Sequence, residues 1–216
     1  MIISHGRRYI FVHIPKTGGT SLALALEARA MADDVLIGDT PKAIKRRRRL
    51  RGVESSGRLW KHSRLADIEG LVTREQMAEY FTFTLVRNPW DRMVSYYHWL
   101  QDQTFDHPAV TLAKTTDFTG FMSHPHTHAS LKSSPYDSYM RDTAGVEHCN
   151  TYIRIEHLAE DLVGLLDHLE FVPEIPVVNT SEREKDWRGY YDESTKAVVE
   201  SLCAEDIERF GYRFDC

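Results

Sequence analysis

Fourteen residues constrain this chain more than any others: Tyr9-Ile10-Phe11-Val12-His13-Ile14-Pro15-Lys16-Thr17-Gly18-Gly19-Thr20-Ser21-Leu22. A run of β-branched and aromatic residues ends at Pro15, and a helical pattern resumes at Thr20. Gly18 and Gly19 reach backbone angles that other residues avoid, so the turn can aim several N–H groups at one anion. The helix start adds unpaired N–H groups and the positive end of its dipole. Lys16 adds a point charge, and Thr17, Thr20 and Ser21 add hydroxyl donors. This order predicts an α/β fold that binds a phosphorylated cofactor through its first strand-to-helix turn. An ATP-binding loop reads Gly-x-x-x-x-Gly-Lys-Ser/Thr, with lysine after the last glycine. Here Lys16 precedes both glycines and enters from the strand side.

Further strands are expected at residues 57–63, 80–87 and 151–155. Helices are expected at 20–31, at 73–77 behind a Thr73 cap, at 90–100, at 157–169 and at 193–209. Strands alternating with helices predict a three-layer P-loop-type fold, with a mainly parallel central sheet flanked by helices and one domain over 1–216. Residues 33–57 lack periodicity. Residues 101–140 read as irregular, and a loop of that length is often functional.

Bulk properties exclude several classes. A net charge of −5 argues against a nucleic-acid partner. No apolar run is long enough for a membrane span, and no apolar segment marks a secretory signal. Cys149, Cys203 and Cys216 are odd in number and widely spaced, so neither a disulfide framework nor a Cys-x-x-Cys metal site is expected. A cytoplasmic location is the simplest expectation. His124, His126 and His128 alternate, but among proline and other irregular residues, so no metal is expected there. His13 reads as packed inside the first strand, and Trp90, Tyr96, Tyr97 and Trp99 read as core. Residues 42–51 hold seven basic and no acidic residues, which leaves −12 on the remainder. That run reads as a mobile, solvated loop, or as a patch for an anionic acceptor such as an acidic glycan.

The second informative segment is Arg87-Asn88-Pro89-Trp90-Asp91-Arg92-Met93-Val94-Ser95-Tyr96-Tyr97. Asn88 and Pro89 signal a helix start. Arg87 falls at the carboxyl end of an expected strand, where ligands collect in open α/β sheets. Its planar fork suits a phosphate, and Ser95, three residues beyond Arg92, adds a donor near the same helix start.

Together, Pro15 to Ser21 and Arg87 to Tyr97 resemble the two cofactor motifs of sulfotransferases, nearest to the carbohydrate 2-O-sulfotransferase-like branch. Residues 154–162 resemble that family's later Arg-x-Glu-x-Leu-x-x-Asp-Leu segment, and Asp206-Ile207 with 210–214 its ending. The basic run is a departure from the family pattern. The resemblance implies 3′-phosphoadenosine 5′-phosphosulfate (PAPS) as donor and its bisphosphate (PAP) as product, without a metal. It places Lys16, Thr17, Gly18, Gly19, Thr20 and Ser21 on the 5′-phosphosulfate, and Arg87 and Ser95 on the 3′-phosphate. The partner is a hydroxyl-bearing acceptor, expected to be a carbohydrate.

Two catalytic roles are expected. Lys16 stabilises charge on the leaving phosphate. His62, in Trp60-Lys61-His62-Ser63, serves as general base, with Glu156 as the runner-up. Asn179-Thr180-Ser181-Glu182-Arg183 with Lys185 reads either as a segment closing over a substrate or as a capped helix start. The competing functions are a P-loop kinase and a nucleotide- or glycan-binding module without turnover. Neither the acceptor's identity nor an oligomeric state is written in the sequence.

Overall fold

The apolar segments that open the chain pair into a sheet. The computed structural model describes residues 1–216 apart from 177, 179–182, 185 and 216. Its strands are β1 (Ile2–Ser4), β2 (Tyr9–Val12), β3 (Val35–Leu36), β4 (Phe81–Val86) and β5 (Thr151–Arg154). The helices among the described residues are α1 (Gly19–Ala28), α2 (Pro41–Arg46), α3 (Arg74–Glu79), α4 (Pro89–Gln101), α5 (Pro108–Thr115), α6 (Phe118–Ser123), α7 (Pro125–Lys132), α8 (Leu158–Asp161), α9 (Val163–Leu169), α10 (Glu193–Leu202) and α11 (Ala204–Phe210). None of them is long and apolar enough to cross a membrane. The chain divides into two compact units, Met1–Val86 with Tyr136–Val178, and Arg87–Pro135 with Asn179–Cys216.

The first unit holds the whole sheet, in the order β3-β1-β2-β4-β5. β2, β4 and β5 are parallel, with Tyr9 opposite Phe81 and Phe83 opposite Thr151. β1 pairs antiparallel with both β2 and β3. The α/β architecture therefore stands, with its parallel part confined to three strands. Phe11 and Phe83 are fully buried and stack with ring centroids 5.4 Å apart. Leu22 and Leu26 of α1 and Leu165 and Leu169 of α9 join the same core. Each such side chain contributes about 1.5–3 kcal/mol by leaving water.

The far end of α1 anchors the next helix. Glu27 is buried, and Thr40 Oγ1 lies 2.8 and 2.7 Å from its two carboxylate oxygens. Thr40 also caps α2 by accepting from the Ala43 N–H. Lys42 Nζ donates to the Glu27 carbonyl. The basic run is thus helical rather than a mobile loop: α2 leads into a 3-10 turn over Arg47–Leu50. Ala43 is the apolar contact that seats it, and Arg46 donates to the Met31 carbonyl at 2.7 Å.

Residues 57–63 are irregular and end in a turn over Trp60–Ser63, instead of forming the expected strand. Ser63 is fully buried, and its Oγ accepts from the Trp60 N–H at 2.9 Å. A serine side chain that satisfies the backbone locally competes with ladder pairing.

In the second unit, residues 101–140 hold the largest departure from expectation. α5, α6 and α7 occupy most of that stretch. Pro108 and Pro125 each take the first helical turn, behind the capping side chains of His107 and His124. Asp117 caps α6 through the Gly120 N–H. Prolines that read as breakers are helix starters here. The expected helices at 157–169 and 193–209 are each interrupted once, at Leu162 and Cys203. Tyr97 packs against Phe118 and Phe121 while its hydroxyl donates to the Thr116 carbonyl at 2.9 Å. Trp90 is fully buried, and Tyr96 and Trp99 stack half-buried beside it in sequence.

Candidate active site

The loop between β2 and α1 is built around its own side chains. Thr17 is fully buried, and its hydroxyl donates to the Ile14 carbonyl at 2.9 Å. That corrects one expectation, because the Thr17 hydroxyl ties the loop together instead of facing an anion. Lys16 adopts φ 65, a left-handed conformation that costs a non-glycine residue roughly 1–2 kcal/mol. Gly18, at φ 79, is the N-cap of α1 and brings no capping side chain. The Ser21 N–H donates to the Gly18 carbonyl at 3.2 Å, and the Gly19 and Thr20 N–H groups at the very start of the helix suit an external acceptor. Thr20 and Ser21 lie in that turn, half-exposed.

Gly19 has a different reason to be glycine. A Cβ there would sit 2.3 Å from Cδ2 of His13. The buried His13 ring fills the space under the loop and stacks on Phe11. Burial, then the neighbouring Met1 amino terminus, His62, Lys61 and Lys16, hold His13 well below the usual histidine range. His13 is therefore a neutral packing residue, as expected.

His62 lies against this histidine. Its ring is 4.7 Å from the His13 ring, edge to face, and 5.0 Å from the Trp60 ring. Its Nδ1 is 2.7 Å from the His13 carbonyl. A carbonyl oxygen only accepts, so Nδ1 carries the proton and Nε2 keeps its lone pair. Burial pushes the His62 pKa down to about 4; the bond to His13 works against this and Lys61 adds to it. At neutral pH the ring is an uncharged imidazole with a defined acceptor nitrogen. Glu156, the alternative base, is exposed on the Ile155–His157 turn.

The Arg-x-Glu-x-Leu-x-x-Asp-Leu segment has a structural explanation. Arg154 closes on Asp161 through its backbone N–H at 2.9 Å and through Nε and Nη2 at 2.8 Å each. That arginine holds the Asp161 carboxyl below the usual range. The clasp fixes how β5 turns into α8.

The second unit has its own cationic centre. Arg87 Nη2 lies 2.6 Å from Asp91 Oδ2, and Arg183 Nη2 lies 2.6 Å from Asp91 Oδ1. One carboxylate thus holds two guanidinium groups, all three side chains being mostly buried. Arg183 Nη1 is buried without a hydrogen-bond partner. Ser95 is buried on α4. Asn88 caps α4 by accepting from the Trp90 N–H, and its Nδ2 donates to the Arg213 carbonyl at 3.0 Å. The family-like ending therefore buttresses the helix that follows Arg87. Residues 179–182 and 185 lie outside the described residues, so the reading of that segment is followed only at Arg183.

Sequence reasoning missed Asp91, although its i, i+4 spacing from Arg87 was a usable signal. His124, His126 and His128 start a helix instead of sharing a strand face: His124 accepts from the His126 N–H, and His128 Nε2 contacts the Met122 carbonyl. Among the described residues no cluster of three or more histidine, cysteine or acidic side chains is arranged to hold a metal.

Comparison with known proteins places the chain in a family. Residues 1–213 match the model of the sulfotransferase family. No curated protein sequence matches the chain. Among solved structures, the chain is similar to mouse sulfotransferase SULT7A1 complexed with PAP, at 17% identity and a TM-score of 0.45. That similarity covers 95% of this chain and 85% of the mouse chain. The family match runs through the loop at Lys16, the His62 turn and the Arg87 helix alike, so this chain belongs to the sulfotransferase family and is an enzyme of sulfuryl transfer.

Proposed function

We propose that the enzyme takes its sulfuryl group from PAPS and delivers it to a hydroxyl of a carbohydrate, with residues 1–216 acting as one catalytic domain. Lys16, Gly18, Gly19, Thr20, Ser21 and the backbone of Thr17 receive the 5′-phosphosulfate. Arg87, Ser95 and Arg183 receive the 3′-phosphate. The observation that carries this reading is the fixed tautomer of His62, whose hydrogen bond to the His13 carbonyl presents Nε2 as an acceptor. His13 lies three residues before Lys16, so base and anion loop share one piece of backbone.

In the reaction, Nε2 of His62 takes the proton of the acceptor hydroxyl as its oxygen bonds to sulfur. The bond from sulfur to the bridging phosphate oxygen breaks in line, and PAP leaves. The transferred group is close to neutral SO₃, so charge gathers on the leaving phosphate. Lys16 and the uncapped start of α1 stabilise that charge.

The test is a thermal-shift comparison of PAP with ATP–magnesium and with AMP on the full chain. PAP alone should raise the melting temperature substantially. A rise of equal size with ATP–magnesium would remove the donor assignment and favour a kinase.

A further inference from the structure

The basic run forms one wall of a cleft that the sulfuryl-transfer residues do not use. The cleft has a volume of about 790 Å³, within the size range of small-molecule sites. Arg47, Arg48 and Arg51 line it from the turn after α2, and Arg58, Trp60 and Lys61 line it from the turn that ends in His62. Leu36, Ala43 and Leu59 supply apolar surface. Asp39 is its one acidic lining residue and is already paired with Lys61 at 2.6 Å. The guanidinium groups of Arg47, Arg48, Arg51 and Arg58 have no carboxylate partner among the described residues. So many uncompensated cations around one concavity raise the local concentration of anions.

Trp60 makes the cleft more than a charged surface. Trp60 is 44% exposed, although large apolar residues mostly bury. The Arg58 guanidinium lies 5.8 Å from its ring centroid. The His62 ring also lies near it, at 5.0 Å. An exposed indole beside guanidinium groups suits a ligand with a flat C–H face and anionic substituents. A sugar ring bearing carboxylate or sulfate groups has both, whereas an acidic peptide offers charge without the ring face.

We propose that this cleft is the acceptor subsite and takes an acidic oligosaccharide. Its anionic groups rest on Arg47, Arg48 and Arg51, one sugar face rests on Trp60, and a hydroxyl is delivered beside His62. The delivery step rests on the proposed function; the binding of the acidic sugar does not.

The test is calorimetric titration of the full chain, with and without PAP. The probes are hexagalacturonate, a heparin-derived hexasaccharide, neutral maltohexaose and hexaglutamate. At least one acidic sugar should bind about tenfold or more tightly than maltohexaose and hexaglutamate, and more weakly as salt rises. The triple variant R47A/R48A/R51A should lose about tenfold in affinity for the acidic sugar. Trp60→Ala should lose several-fold. Both variants should keep the wild-type PAP shift, which also shows that they fold. Tighter binding of hexaglutamate, equal binding of maltohexaose, or undiminished sugar binding by the folded triple variant would each overturn the proposal. A wild type that binds the acidic sugar but not PAP supports the cleft and overturns the donor assignment; the reverse pattern overturns the cleft alone.

Discussion

The side chain of His62 donates its Nδ1 proton to the main-chain carbonyl of His13, 2.7 Å away. That bond fixes which nitrogen faces outward, and burial keeps the ring uncharged down to about pH 4. His62→Ala should lower kcat by about 10²–10⁴-fold and leave PAP affinity unchanged. The acid limb of kcat/KM should fall near pH 4 instead of near 6.5. An ordinary histidine midpoint, or a variant that keeps its turnover, would take the base assignment away.

The same depression links to stability. The unfolded histidine takes up a proton near pH 6.5, the folded one only near 4. The unfolded state therefore binds more protons between these values. The contribution is complete above about pH 6.5 and is lost as pH falls towards 4. Melting temperature should drop across that window, and His62→Gln should flatten the drop when the two proteins are scanned by calorimetry.

Gly19 and His13 should behave as a coupled pair. Gly19→Ala brings a methyl within 2.3 Å of the His13 ring, an overpacking that costs roughly 1–3 kcal/mol and lowers Tm by about 5 °C. Adding His13→Ala should return part of that loss, so the double variant should be more stable than the two single losses predict. Strict additivity would place the clash elsewhere.

Asp91 is the counter-ion that lets Arg87 and Arg183 converge. Asp91→Asn leaves two mostly buried guanidinium groups facing each other and should cost about 3 kcal/mol. A bound 3′-phosphate would replace the missing charge. The rise in Tm on adding PAP should thus be larger in Asp91→Asn than in the wild type. An equal rise would mean that these arginines do not hold the phosphate.

Lys16→Ala should abolish both PAP binding and turnover, because it removes the only formal charge in the loop from Pro15 to Ser21. Wild-type turnover in that variant would end the leaving-group role; PAP affinity and single-turnover rate separate the two effects.

Much of this was legible in the residue order. The first strand, the glycines at 18 and 19, and the Asn88–Pro89 helix start each depend on local chemistry, and local chemistry shows in sequence; only the strand's end, at Val12 rather than before Pro15, did not. What stayed hidden depended on where particular side chains point in space. Ser63 closes the turn over Trp60–Ser63 through its own side chain, against a strand-like composition. The helices within 101–140 were masked because Pro108 and Pro125 look the same whether they break a helix or begin one. The inward hydroxyl of Thr17 and the steric reason for Gly19 require knowing where Ile14 and His13 lie in space. The basic run is solvated as it reads, but its helical order shows only once Glu27 and Thr40 are seen to seat it.

Helix α1 begins at the donor loop and, near its other end, holds α2 through Glu27 and Thr40. Ten residues at a rise of about 1.5 Å each make it a rod of roughly 15 Å. The loop and the seat of the arginine-bearing segment are thereby held apart by a fixed length. Adding or removing one helical turn would move that seat, and the arginines it carries, by about 5.4 Å. If the cleft takes the acceptor as proposed, the span of α1 gauges that acceptor by reach as well as by charge.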